Sequence, residues 1–222
     1  MAHRNLRIIG KAGLPRSGKI GSVTARPARI LVAVAAIVLL VIATAVITSR
    51  LRKPGPRPDF QLPVACGETW ILGTYPGHDD FDIDFFPARG SAWGRPVLAS
   101  AAGTVIEAGV NGTLGSRTPD NPKGPYGTGA GYWVKIDHGG RWDTQYLHLL
   151  ESPPVAVGDE VTQGQQIGKI GSTGKSGAPH LHYEQRRAGD KVESHFAGQP
   201  AGITSDDREY SVRRTSRNCP GR

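Results

Sequence analysis

His180 and His182 stand two residues apart in "GKIGSTGKSGAPHLHYEQR", Gly168 to Arg186. On a strand, residues i and i+2 point to the same face. The two imidazoles would then lie side by side, with Leu181 and Tyr183 on the opposite face. Paired imidazoles are candidate metal ligands once partners come within reach. Zinc is commonly held by His and Asp/Glu, and a catalytic zinc site keeps one position open for water or substrate. The sequence supplies partners of that kind. "GHDDFDIDF" places His78 ahead of Asp79, Asp80, Asp82 and Asp84, and "DTQYLHLL" carries His148 within an apolar strand. On an extended run His78, Asp80, Asp82 and Asp84 would share one face. Glu184 shares the face of the histidine pair, as a neighbour of the metal or as a plain surface charge.

The same stretch also imitates a phosphate-binding loop. That pattern needs Gly, four residues, then Gly-Lys-Ser/Thr, opening a helix. Gly174-Lys175-Ser176 supplies the end, but residue 169 is Lys where the first Gly belongs, and Gly177-Ala178-Pro179 breaks any helix. The glycines read instead as a turn into the histidine-bearing strand. "VAVGDEVTQGQQIGKIG" has the hairpin form of lipoyl and biotin carriers, without the Lys-bearing attachment hairpin. The remaining histidines, His3, His138 and His195, read as surface or structural.

The elements that must position these groups are strands. From about Gly67, short β-type runs alternate with Gly- and Pro-rich turns, and no amphipathic helix of useful length interrupts them. The fold class is therefore all-β, a compact antiparallel domain over residues 67–200. Gly109 to Gly131 holds seven glycines and three prolines and reads as a long loop. Residues 201–222 read as a loosely packed polar tail. Residues 50–66, with "KPGPRPD", read as a stiff Pro-rich linker.

Ahead of the linker, residues 30–48 run 19 positions without a charge, Gly or Pro. A helix of that length spans about 28 Å, near the hydrocarbon thickness of a bilayer. Residues 1–29 carry seven Lys/Arg and no acid. The expectation is a basic cytoplasmic arm and a transmembrane signal anchor at 30–49, with the rest outside. The formal net charge of +8 belongs to this arm, because from Asp59 onward 16 basic residues face 19 acidic ones. That removes the chief support for nucleic-acid binding. Cys66 and Cys219 lie near the two ends of the external domain and are expected to pair as a disulfide.

In order, His78 with a downstream Asp, "VKIDHGG", "YLHLL" and "VAVGDEVTQGQQIGKIGSTGKSGAPHLHYEQ" resemble the lysostaphin/LytM-type zinc endopeptidases of bacterial cell walls. The resemblance covers about Pro76 to Arg187. It implies an antiparallel β-fold with a groove floored by a sheet. It implies Zn2+ held by His78, one Asp and His182, with His148 and His180 as the catalytic pair flanking the attacking water. The commoner family spacing selects Asp82. A longer form, with the Asp inside an Ile/Leu-Asp-Phe segment, selects Asp84, and "IDFFPARG" continues like the longer form. Asp84 is the expected ligand and Asp82 the alternative. The substrate implied is a peptide bond in peptidoglycan stem peptides or cross-bridges, cut by a monomer at the bacterial cell membrane. The rival reading is a catalytically silent relative that binds the wall and activates another hydrolase. Such relatives usually lack metal ligands, and here all five positions are filled.

Overall fold

The structure is a computed structural model that describes residues 26–51 and 55–219. The chain divides into two units, Met1–Arg52 and Lys53–Arg222. The described residues of the first form a helix, α1 (Arg26–Leu51). Side chains are described for Leu31, Val32 and residues 34–44 of it, all exposed. Among the described residues, no helix is long and apolar enough to cross a membrane. The span expected at 30–49 is therefore not supported. Residues 1–25 of the basic arm lie outside the described residues.

The second unit is built from strands: β1 (Thr69–Thr74), β2 (Ile83–Pro87), β3 (Pro96–Leu98), β4 (Gly103–Gly115), β5 (Tyr126–Asp137), β6 (Trp142–Leu149), β7 (Glu160–Val161), β8 (Gln166–Lys169), β9 (Leu181–Arg187), β10 (Asp190–Val192), β11 (His195–Phe196), β12 (Gln199–Pro200) and β13 (Tyr210–Thr215). The main sheet runs β13-β1-β2-β9-β6-β5-β4-β7, with β10 paired to β9. All its pairings are antiparallel. β3 pairs with β8 and β11 with β12 in two small sheets. The all-β antiparallel expectation holds for this unit.

Period-two patterning explains the layers. In β6, Trp142, Thr144 and Tyr146 are buried while Asp143, Gln145 and Leu147 are only partly so. Of the inward residues, Tyr146 joins Trp70, Leu72, Ile83, Phe85, Leu181 and Tyr183 in the main core, and Trp142 packs with Phe60 and Ala101 in a second cluster. Two phenols sit wholly inside that core, and burial of an unpaired hydroxyl is costly. Ser100 Oγ satisfies both, at 2.8 Å from Tyr146 Oη and 3.0 Å from Tyr183 Oη. This knot ties β6 and β9 together beneath the two central strands of the site.

Three regions depart from the sequence reading. The long loop at 109–131 contracts, because β4 continues to Gly115 and β5 starts at Tyr126. Its glycines serve the strands rather than a loop: a Cβ on Gly112 would run into the Thr128 carbonyl, and one on Gly127 into that of Thr113. Residues 55–66 are not a free linker. Arg57 donates to Glu193 O at 2.7 Å and lies over the Trp142 ring, and Phe60 is buried beside Trp142. The polar tail is not loose either. β13 adds to the sheet beside β1, Ala201 and Ile203 are buried, and Asn218 donates to Leu62 O at 3.0 Å. The Cys66–Cys219 disulfide forms as expected, across a sequence separation of 153.

Candidate metal centre

Asp84 on β2 pairs directly with His182 on β9. Residues directly opposite in an antiparallel pair face the same side, so register alone brings this carboxylate and this imidazole together. His180 stands one position before β9, on the His182 face. His78 arrives differently. The run from His78 to Asp82 is not extended, since Asp79 (φ 77°) and Phe81 (φ 67°) adopt left-handed conformations. That turn folds the imidazole back over β2. It also ends the shared face expected for Asp80, which is exposed.

His148 needed a bulge. Leu147 pairs with His182, so simple alternation would send His148 to the opposite, core side. Instead the β5–β6 register shifts here, with Val134 opposite Tyr146 and Tyr132 opposite Leu149. His148 takes φ 63°. The extra residue re-aims the ring into the groove, where it lies 5.0 Å from the His180 ring and 5.7 Å from that of His182.

The donors converge. His78 Nε2, His182 Nδ1 and Asp84 Oδ1 form a triangle with edges of 3.0, 3.1 and 3.1 Å. Three donors on a tetrahedral zinc with arms near 2.0–2.1 Å stand roughly 3.3 Å apart, so this set fits a common ion closely. His180 Nε2 lies 3.2 Å from the same Asp84 oxygen. The tautomers of the other two histidines follow from their partners, because a carbonyl only accepts. His148 Nδ1 donates to Thr173 O at 2.8 Å and His180 Nδ1 donates to Ala178 O at 2.7 Å. Each therefore presents an Nε2 lone pair when neutral. Aromatic rings support the site, with Tyr75 stacked on His78 and Phe86 stacked on His180.

Asp82 lies on the far side of His182. Its Oδ2 is 3.4 Å from His182 Nε2, and Glu184 Oε1 is 3.6 Å from the same nitrogen. Lys191 on β10 holds both carboxylates, at 2.6 Å from Asp82 Oδ2 and 3.6 Å from Glu184 Oε1. Carboxylates facing the outer nitrogen of a ligating histidine fix its orientation and raise its basicity. Sequence reading left Lys191, Thr173 and Phe86 out. Nothing in their spacing marks them, because each meets the site through strand pairing or a turn.

The electrostatics follow from this packing. Burial opposes ionisation of Asp84, but the adjoining His180, His182 and His78 overcome it and hold the carboxylate well below its usual range. Burial likewise disfavours charge on His182, and Asp82, Asp84 and Glu184 reverse this and raise it. Burial, then His180 and His182, push His148 down to about 3. His78, His148, His180 and His182 surround a cavity of about 320 Å3, which Tyr75, Lys175 and Gly177 also line.

The family model described as peptidase family M23 matches residues 83–194. That is half of the 222-residue chain. The chain belongs to peptidase family M23. The match opens after His78 and Asp82, so His78 joins the site by geometry. An "uncharacterized metalloprotease" of Haemophilus influenzae is 33% identical over 130 residues, 57% of this chain and 23% of that protein. The peptidoglycan DD-endopeptidase ShyA of Vibrio cholerae is 34% identical over 118 residues, 53% of this chain and 24% of that protein. The M23 chain thus spans about a quarter of the length of these curated relatives. Among solved structures, a zinc-containing peptidase from Vibrio cholerae aligns at a TM-score of 0.47 and 27% identity, over 63% of this chain and 41% of that one.

Proposed function

We propose that this M23 peptidase is a zinc endopeptidase that hydrolyses peptide bonds in peptidoglycan. The observation that carries the reading is the triangle of His78, Asp84 and His182, beside two further imidazoles with inward-facing lone pairs. His78, Asp84 and His182 would hold the ion. Once held, zinc supplies Lewis acidity, polarising a carbonyl and acidifying water.

The chain's own groups do the rest. Because His148 Nδ1 donates to Thr173 O, its Nε2 carries the lone pair that can accept a proton from attacking water. His180 offers a second such nitrogen 5.0 Å away, ring to ring. One imidazole takes the proton on Nε2 and then delivers it to the leaving amine, while the other, protonated on Nε2 from solvent, would donate to the developing oxyanion. The carbonyls of Thr173 and Ala178 fix both tautomers. Asp82 and Glu184 orient His182, and Lys191 keeps that acidic pair from carrying two uncompensated charges.

The peptidoglycan assignment draws on the family and on the name of the ShyA relative. The apolar run at 30–48 and the basic residues before it support an anchor with the peptidase outside the membrane. The test is mass analysis of products from defined peptidoglycan fragments. The expected result is peptide-bond cleavage that a chelator abolishes and added zinc restores. Binding to walls with no cleavage in the presence of zinc would instead support the silent wall-binding reading.

A further inference from the structure

The last strand carries charges that catalysis does not use. From Asp59 onward the chain is formally acidic, with 16 basic against 19 acidic residues. Yet Arg213, Arg214 and Arg217 line one groove of about 650 Å3 whose lining contains no Asp or Glu. Among the described residues none of the three guanidinium groups forms an ion pair. Arg214 is steadied only by carbonyls, at 3.2 Å from Arg213 O and 3.5 Å from Pro200 O. Three like charges sharing a groove repel one another, and an anion relieves this.

The shape narrows the occupant. Leu62, Phe196 and Pro200 give the groove an apolar floor. The neighbouring hollows are mixed in charge, with Glu68 beside Arg89, Arg95 and Arg213 in one and Asp59 beside Arg217 in the other, so the acid-free lining is confined to this groove. At about 650 Å3 the groove is larger than one small anion fills. It is concave, and a bilayer surface does not enter a concave groove. Guanidinium forks suit phosphate oxygens, which they can bind in pairs.

One end of the groove also relates to the catalytic face. β13 ends the main sheet, and Arg213 pairs with Ile71, which pairs with Phe86. Arg213 therefore shares the sheet face of Phe86, the ring stacked on His180, two strands and roughly 10 Å away.

We propose that the β13 groove binds an anionic glycopolymer of the wall, with phosphodiester groups on Arg213, Arg214 and Arg217 and sugar or polyol on the apolar floor. The polymer's source rests on the extracytoplasmic reading above, whereas the anion chemistry rests on the groove alone. Bound there, the polymer would run beside the catalytic groove and concentrate the peptidase on its substrate.

The test titrates the full chain, in neutral detergent, with poly(glycerol phosphate). Wild type is compared with R213Q/R214Q/R217Q and with Arg217→Gln alone, a single exposed change that leaves the packing intact. The triple variant is expected to bind about tenfold or more weakly and to lose most of its salt dependence, with the single variant between. Cleavage of a short soluble peptidoglycan fragment should be unchanged in all three proteins. Unchanged polymer affinity in both variants overturns the proposal. So does equal binding of inorganic phosphate, or arginine-dependent binding of phosphatidylglycerol micelles without binding of the polymer. Failure to cleave the soluble fragment in wild type would count against the peptidase reading and leave the polymer titration decisive for the groove.

Discussion

His148 is the residue whose role departs furthest from its neighbourhood, an imidazole in an apolar strand. Its contacts are one carbonyl, from Thr173, and two catalytic-face rings. It is outside the ligand triangle, so His148→Ala should keep zinc while cleavage falls by roughly 10²–10⁴-fold. Metal analysis beside single-turnover cleavage checks this, and loss of the metal would reassign the residue. A second prediction concerns pH. Burial raises Glu184, but His182, Lys191 and Arg186 outweigh it and hold its carboxyl at about 2, against an ordinary 4.5. A depressed folded value stabilises the fold fully above the unfolded value. That contribution disappears as pH falls from about 4.5 toward 2. The metal-free protein should lose melting temperature across that window, and Glu184→Gln should flatten part of the slope. The sequence made His78, His148, His180 and His182 legible because histidines at such spacings are hard to explain otherwise. Parity could not choose between Asp82 and Asp84 on an extended run, and only the resemblance favoured Asp84. Register sets Asp84 opposite His182, while Asp82 follows directly on the turn at Asp79 and Phe81, whose left-handed backbone no periodicity reveals.

Elements set these residues by register and, beyond the Asp79–Phe81 turn, by two further local irregularities. Strand pairing places Asp84 opposite His182, and the β6 bulge turns His148 into the groove. A bulge leaves almost no mark in a sequence, so alternation alone would have aimed this ring at the core. The turn before β9 is the second irregularity. Gly174 takes φ 75°, and a Cβ there would crowd the backbone of Gly131 and Gly129. Gly174→Ala should therefore cost at least about 1–2 kcal/mol in left-handed strain, before any clash. It should also shift the Thr173 carbonyl that fixes His148. The expected outcome is a melting temperature lower by several degrees together with reduced cleavage; an unchanged melting temperature would contradict the crowding. The strands themselves were legible from their alternation. β13 was not, because "YSVRRTS" offers the core a single aliphatic residue, Val212, and as an edge strand it meets the sheet mainly through backbone pairing to β1.

At the scale of the whole molecule, the second unit closes on itself through its ends. Cys66 precedes β1, Cys219 follows β13, and these strands are sheet neighbours. Replacing both cysteines with Ser should lower unfolding stability by about 2–5 kcal/mol, read from guanidinium unfolding without reductant. Equal stability would mean that β13 and the Asn218 contacts hold the ends unaided. The whole account depends on one ion seated by three residues from separated parts of the sequence. The most direct measurement is zinc content per chain after removal of loosely bound metal, in wild type, Asp84→Ala and Asp82→Ala. The account predicts one zinc in wild type, almost none in Asp84→Ala, and retained zinc in Asp82→Ala, weakened by about 10–100-fold in affinity. A wild type without zinc, or an Asp84→Ala chain that keeps it while Asp82→Ala does not, would contradict the account.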